Sequence, residues 1–243
     1  MLLSRSSKYI ALILVLLGMV RLTSAAIIAP DAPAFSMMMQ VGNGSPYALD
    51  GATVTPVQDG DKWKYQIDAN YNQHGYQMAV HFVIEPDPTI TGNVALTNLG
   101  AATQNYSFNF NLPVGVPFNP SVLNGSVGVT ATADATAATV ATVAPDALYT
   151  ALINGSSVHT LMNNPSSVSA NAFDSAVATD RFGIPSPIAG GAVTTSIGIN
   201  LHFSVTPGDQ AGITSQFTAN PVPEPSSLMV LALGGLALVR RRK

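Results

Sequence analysis

Along four stretches of the chain, apolar and polar residues alternate with a period of two. Trp63, Tyr65 and Ile67 alternate with Lys64, Gln66 and Asp68, and Tyr76, Met78, Val80, Phe82 and Ile84 with Gln77, Ala79, His81 and Val83. Tyr106, Phe108, Phe110 and Leu112 repeat the pattern against Ser107, Asn109 and Asn111; Ile197, Ile199, Leu201, Phe203 and Val205 repeat it against Gly198, Asn200, His202 and Ser204. Successive side chains of a strand point to opposite faces, so each stretch predicts a strand with one face for a core and one for water or a ligand. Asn43-Gly44, Asn124-Gly125 and Asn154-Gly155 supply the positive φ angles of two-residue hairpin turns. The clearest predicted hairpin is Tyr149–Ile153, Asn154-Gly155, Val158–Met162. Short strands punctuated by Gly, Pro and Asn, without an amphipathic helical stripe, predict an all-β ectodomain built as an antiparallel β-sandwich.

Two regions give weaker patterns. Thr130–Ala144 is a Thr/Ala/Val tract whose Ala favours helix and whose Thr and Val favour strand; it is assigned as a strand followed by a loop. Asn163–Gly191, rich in Pro, Ser and Ala, reads as a long surface connection, where ligand contacts are most easily placed.

The chain ends are of a different kind. Met1–Tyr9 carries Arg5 and Lys8, Ile10–Val20 is apolar, and Thr23-Ser24-Ala25-Ala26 offers small residues for cleavage. These are the three parts of a secretory signal peptide over 1–26, with an uncleaved anchor as the alternative. At the other end, Pro223-Glu224-Pro225 precedes an apolar run to Val239 and the basic stop Arg240, Arg241, Arg242 and Lys243. A helix over 226–239 is about 21 Å long against a hydrocarbon core near 30 Å, which suits temporary retention in a membrane. Basic residues at both ends make the intervening 27–220 the translocated part.

The order of Pro/Glu motif, apolar helix and basic stop over 221–243 resembles the PEP-CTERM sorting tail of exported Gram-negative bacterial proteins. Ile84-Glu-Pro-Asp-Pro, Val94-Ala-Leu-Thr-Asn, Tyr106–Leu112 and Ser204-Val-Thr-Pro-Gly-Asp look like segments of such proteins' ectodomains. The resemblance implies removal of the leader by signal peptidase, recognition of Pro223, Glu224 and Pro225 by an exosortase-type transpeptidase, and a passing stay in the inner membrane. It also implies a final place in the cell envelope or outside the cell, and a structural or adhesive role tied to exopolysaccharide and biofilm.

Charge narrows the partners. Between the two terminal signals only Lys62, Lys64 and Arg181 face twelve acids, a net charge of −9. Neutralising phosphates needs clustered Lys and Arg, so nucleic acid and anionic membrane surfaces are not expected partners. The chain has no cysteine, so burial and backbone pairing must hold an exported fold without disulfides.

Candidate chemistry is sparse. His74, His81, His159 and His202 share no metal-ligand spacing, and Gly-x-Ser-x-Gly does not occur, so no enzymatic activity and no obligate cofactor is expected. A pocket joining His81 or His202 to an acid and a serine is what an enzyme would need; an aromatic or Asn-rich sheet face is what a binding module would need. Asp59-Gly60-Asp61 and Glu85-Pro86-Asp87 place carboxylates two residues apart, a spacing Ca²⁺ uses when carbonyls complete its six to eight ligands; ordinary turn chemistry is the other reading of Asp59, Asp61, Glu85 and Asp87. Trp63, Tyr65, Tyr71 and Tyr76 are either a platform for sugar rings or part of the core, Trp63 and Tyr65 being in phase with Ile67.

Overall fold

The computed structural model describes residues 30–73, 75–85 and 87–222. The signal helix expected over 1–26 and the tail helix expected over 226–239 lie outside these residues. Among the described residues there are sixteen strands and no helix. In chain order, β1 (Ser36–Val41) and β2 (Tyr47–Ala48) enter a first sheet, and β3 (Thr53–Asp59), β4 (Lys62–Gln73), β5 (Tyr76–Glu85) and β6 (Thr89–Asn98) a second. The chain then crosses for β7 (Gln104–Pro113), returns for β8 (Ser121–Thr132), and crosses again for β9 (Ala138–Thr142), β10 (Tyr149–Ile153), β11 (Ser156–Leu161) and β12 (Ser167–Ala170). Strands β13 (Ser175–Phe182) and β14 (Ile188–Gly190) rejoin the second sheet, β15 (Ser196–Val205) the first, and β16 (Gln210–Pro221) the second. All pairings are antiparallel, in the orders β11-β10-β15-β7-β1-β2 and β13-β8-β16-β6-β5-β4-β3. The expected sandwich is therefore present, with the last strand inserted inside its sheet between β6 and β8.

The four alternating stretches become β4, β5, β7 and β15, and their apolar phases are the buried ones. The sheets meet through aromatic rings. Phe82 of β5 stacks on Phe108 and Phe110 of β7 at ring separations of 5.7 and 4.6 Å. Its ring lies over Gly92, its cross-strand partner, where a Cβ atom would come within 2.1 Å of it. Tyr149 of β10 donates its hydroxyl to the Gln216 carbonyl of β16 at 2.8 Å, so a buried polar group joins the sheets without an orphaned donor.

Turn predictions divide. Asn154 and Gly155, at φ 51° and 77°, form the predicted hairpin turn between β10 and β11. At the β1–β2 turn the positive φ belongs to Gly42. Asn124-Gly125 is no turn: both residues lie inside β8, where the Phe182 ring occupies the space a Cβ on Gly125 would need, at 2.5 Å. Close packing of a ring, not backbone reversal, is what that glycine serves.

The two weak regions also differ from expectation. Thr130–Ala144 contains the end of β8, a turn held by Asp134, whose carboxylate accepts from the Thr136 amide at 2.9 Å, and then the strand β9, which pairs with both β12 and β15. The expected connection Asn163–Gly191 holds three strands. Its longest, β13, turns Ala176, Ala178 and Phe182 inward, with Asp180 in the same phase but exposed. Small residues and an acid carry no hydrophobic period, so this edge strand exists because β8 beside it supplies a full register of partners. Pro221 and Val222, the first residues of the tail, belong to the fold: Pro221 pairs with Ser121, and the Val222 amide donates to the Pro120 carbonyl at 3.1 Å.

Candidate functional site

The β3–β4 turn and the β5–β6 connection lie at one end of the second sheet, where three of the four candidate calcium ligands, Asp59, Glu85 and Asp87, are linked through side chains. Two lysines are there as well. Lys64 Nζ lies 2.8 Å from Asp59 and 3.0 Å from Glu85, and Lys62 Nζ lies 2.7 Å from Asp87. The Lys64 ammonium holds the Asp59 carboxyl below the ordinary carboxylate value, while the carboxylates beside Lys62 and Lys64 hold both ammonium groups above theirs. A calcium ion would have to displace both cations, and among the described residues no three His, Asp or Glu side chains converge on a common point. The residues thus fit an exposed charge network better than an ion cage. Asp61 stays exposed in the turn after Gly60.

Of the four candidate sugar-stacking aromatics, Tyr65 and Tyr76 are each 1 % exposed and belong to the core. Tyr76 shares a hydroxyl hydrogen bond with Tyr47 and meets the Tyr106 ring edge-on at 6.0 Å. Burial, with Tyr47 beside it, drives the Tyr76 phenol well above its ordinary value, and burial pushes Tyr106 up to about 12. Trp63 and Tyr71 are half-buried against the same core. Tyr65 and Tyr76 present no open ring face, because the inward phase of β4 and β5 claims them, whereas Tyr71 borders the open hollow on the second sheet.

The histidines separate into three environments. His81 Nδ1 sits 2.7 Å from Asp68 Oδ1 on the outer face of the second sheet, and His202 Nδ1 sits 2.9 Å from Asp146 Oδ2 on the outer face of the first. The bond to His81, aided by one from Gln66, holds the Asp68 carboxyl below its usual value. His159 packs its ring against Phe182 at 4.1 Å. His74 lies outside the described residues. An aspartate on Nδ1 orients an imidazole as in a nucleophilic triad, but the hydroxyl must then reach Nε2. Ser107, the cross-strand partner of His202, instead gives its hydroxyl to Asn200 Oδ1 at 3.2 Å. Both dyads lie on open sheet faces, with His81 and Asp68 side chains 49 % and 43 % exposed.

What sequence reasoning missed is the continuity of the outer faces. On the first sheet, Asn105, Asn109 and Asn111 of β7 flank Asn200 and Ser204 of β15, all in the half-exposed phase. On the second, Asn70, Asn72, Gln77, Thr97 and Gln210 border an open hollow of about 350 Å³. The strand phase assigned each residue outward; only the register shows that they adjoin.

The fold closes at Val222, one residue before Pro223-Glu224-Pro225. Residues 221–243 match the family described as the PEP-CTERM protein-sorting motif. The chain ends in a PEP-CTERM sorting tail. Pro223, Glu224 and Pro225, with Arg240, Arg241, Arg242 and Lys243, fall within the match and outside the described residues. The PEP-CTERM tail implies export across the membrane, processing by an exosortase, and a destination in the cell envelope or beyond. No curated protein matches the chain.

Proposed function

We propose that the exported sandwich is a structural or adhesive component of the cell surface or extracellular matrix, held among exopolysaccharide and without catalytic activity of its own. The observation that supports this most is the chemistry of the outer faces: both sheets turn rows of Asn, Gln, Ser and Thr to solvent, while most of the aromatic residues go inside. Amide and hydroxyl groups hydrogen-bond sugars without reacting with them, and many weak contacts along a polymer add up to firm retention. Signal peptidase and the exosortase remove the two ends, so the membrane holds the chain only in transit.

A carbohydrate-binding module is the second reading, favoured by the Asn-rich face of the first sheet. Calcium-dependent adhesion is less favoured, since Lys62 and Lys64 already neutralise the acidic turns. The test is fractionation of producing cells together with turnover assays on polysaccharides and esters. The expected result is protein in the matrix fraction and no turnover. Hydrolysis that disappears with His81→Ala or His202→Ala would sink the non-catalytic reading, and protein found only as free monomer in the medium would sink the matrix reading.

A further inference from the structure

At the β8–β13 edge of the second sheet lies an open hollow of about 810 Å³, on the outer face and away from the lysine cluster. Its floor is Gly128, flanked by its cross-strand partners Thr179 and Thr214, with Ser126 and Thr130 two residues to either side along β8. Gly128 has no left-handed backbone, and a Cβ there would meet only the Thr179 methyl at an ordinary 3.7 Å. Neither backbone nor packing asks for glycine at that point; what its missing side chain provides is the depression itself. Glycine inside a strand otherwise marks a bulge, a tight bend or a close approach by another group.

Arg181 stands at the rim. Of the three Lys and Arg among the described residues, the two lysines are in ion pairs and the Arg181 guanidinium is in none. Its neighbour Asp180 also borders the hollow, but its two carboxylate oxygens are engaged by the Met162 and Arg181 amides at 2.9 and 2.8 Å and not by the guanidinium. Asp68, on the same face as the hollow, is four strands from β8, about 19 Å away and beyond a Debye length of about 8 Å. Val177, 66 % exposed, completes the rim with an apolar patch.

A free guanidinium, a ring of hydroxyls and a small apolar contact beside a glycine floor match one kind of ligand. We propose that this hollow binds an acidic sugar residue, a uronate, of a polysaccharide chain. The Arg181 fork takes the carboxylate through two parallel hydrogen bonds, a geometry Lys does not reproduce. Ser126, Thr130, Thr179 and Thr214 exchange hydrogen bonds with ring hydroxyls, Val177 covers a C–H face, and Gly128 lets the ring approach the backbone. Because β13 is the outermost strand, a polymer can pass across it without ending. This assignment rests on the matrix reading above and names the site and sugar class it would use.

The test is calorimetric titration of the full chain in detergent micelles with tetragalacturonate, its carboxyl-reduced neutral counterpart, and tetraglutamate. The wild type should bind tetragalacturonate saturably, and Arg181→Gln, Arg181→Lys and Gly128→Thr should each weaken binding by about tenfold or more while melting as the wild type does. Equal binding by wild type and Arg181→Gln, or no binding by the wild type, overturns the site. Equal affinity for the reduced sugar overturns the acidic assignment, and equal affinity for tetraglutamate overturns the sugar. Matrix fractionation separates this from the broader reading: wild type retained in the matrix with Arg181→Gln binding unimpaired removes the hollow alone, whereas tetragalacturonate binding by a chain absent from the matrix removes the matrix role alone.

Discussion

Gly92 and Gly128 occupy the middle of neighbouring regions of one sheet, yet they answer to different constraints. Gly92 lies under the Phe82 ring, where any Cβ would collide at 2.1 Å. Gly128 faces outward, with its nearest outside atom at 3.7 Å. Inside the sandwich, residue identity is dictated by stacked rings; on the outer faces packing leaves it free, so what is found there is a choice of surface chemistry. The core shows how the protein lasts without disulfides, and the faces show how it can act.

The largest effect should come from alkaline pH, which acts chiefly on the inside. Tyr76, Tyr106 and Tyr149 are all held above the ordinary phenol value by burial, Tyr106 at about 12. Between pH 10 and 12 the unfolded chain loses these protons and the folded chain keeps them, so stability is intact below pH 10 and falls as pH rises, by about 1.4 kcal/mol per pH unit for each phenol. The phenolate absorbance of these three buried tyrosines should therefore appear together with loss of the near-ultraviolet circular dichroism signal, after that of the exposed phenols. Ionisation of the full complement of seven tyrosines in a still-folded protein would contradict this account of the core.

Phe82→Ala comes next, with a cost of about 3–5 kcal/mol from lost burial and the cavity left between β5 and β7. Urea unfolding measures it, and a cost under about 1 kcal/mol would mean that the sheets do not meet as described. The glycine pair sharpens the contrast directly. Gly92→Ala should destabilise by about 1–3 kcal/mol through overpacking, while Gly128→Ala should change stability by no more than about 0.5 kcal/mol. Equal effects would erase the distinction between inside and outside.

The smallest effect belongs to the surface dyad. The Asp68 carboxyl is depressed mainly by its bond to His81, so its contribution is present above the ordinary carboxylate value and is lost as pH falls through the lower folded value. Exposure keeps it small, well under 1 kcal/mol. Asp68→Asn should flatten the acid side of a plot of Tm against pH by slightly lowering its neutral plateau while leaving the acid end unmoved.

Legibility in the sequence follows the same division. β5, β7 and β15 could be read because every second residue is aromatic or a large aliphatic destined for the interface between sheets. β9 and β13 could not, since their inward positions are mostly Ala and Val, and their pairing partners lie elsewhere in the chain. Asn124-Gly125 shows the opposite failure, a strong local turn signal overruled by the Phe182 ring. The candidate sites depended on register. Lys62 is 25 residues from Asp87, and Gly128 meets Thr179 across two crossings between sheets, so neither contact has a local signature. The tail was readable because its information is the order of residue types along the chain, with no packing required.

The central claim is that a PEP-CTERM tail delivers a polar-faced sandwich to the extracellular matrix and is then removed. Intact-mass analysis of the chain recovered from the matrix fraction of exosortase-containing cells tests it most directly. The account predicts a folded species ending after the Pro223–Pro225 motif and lacking Leu228–Lys243. Matrix-bound protein that uniformly retains Arg240–Lys243, or none in the matrix at all, would contradict it.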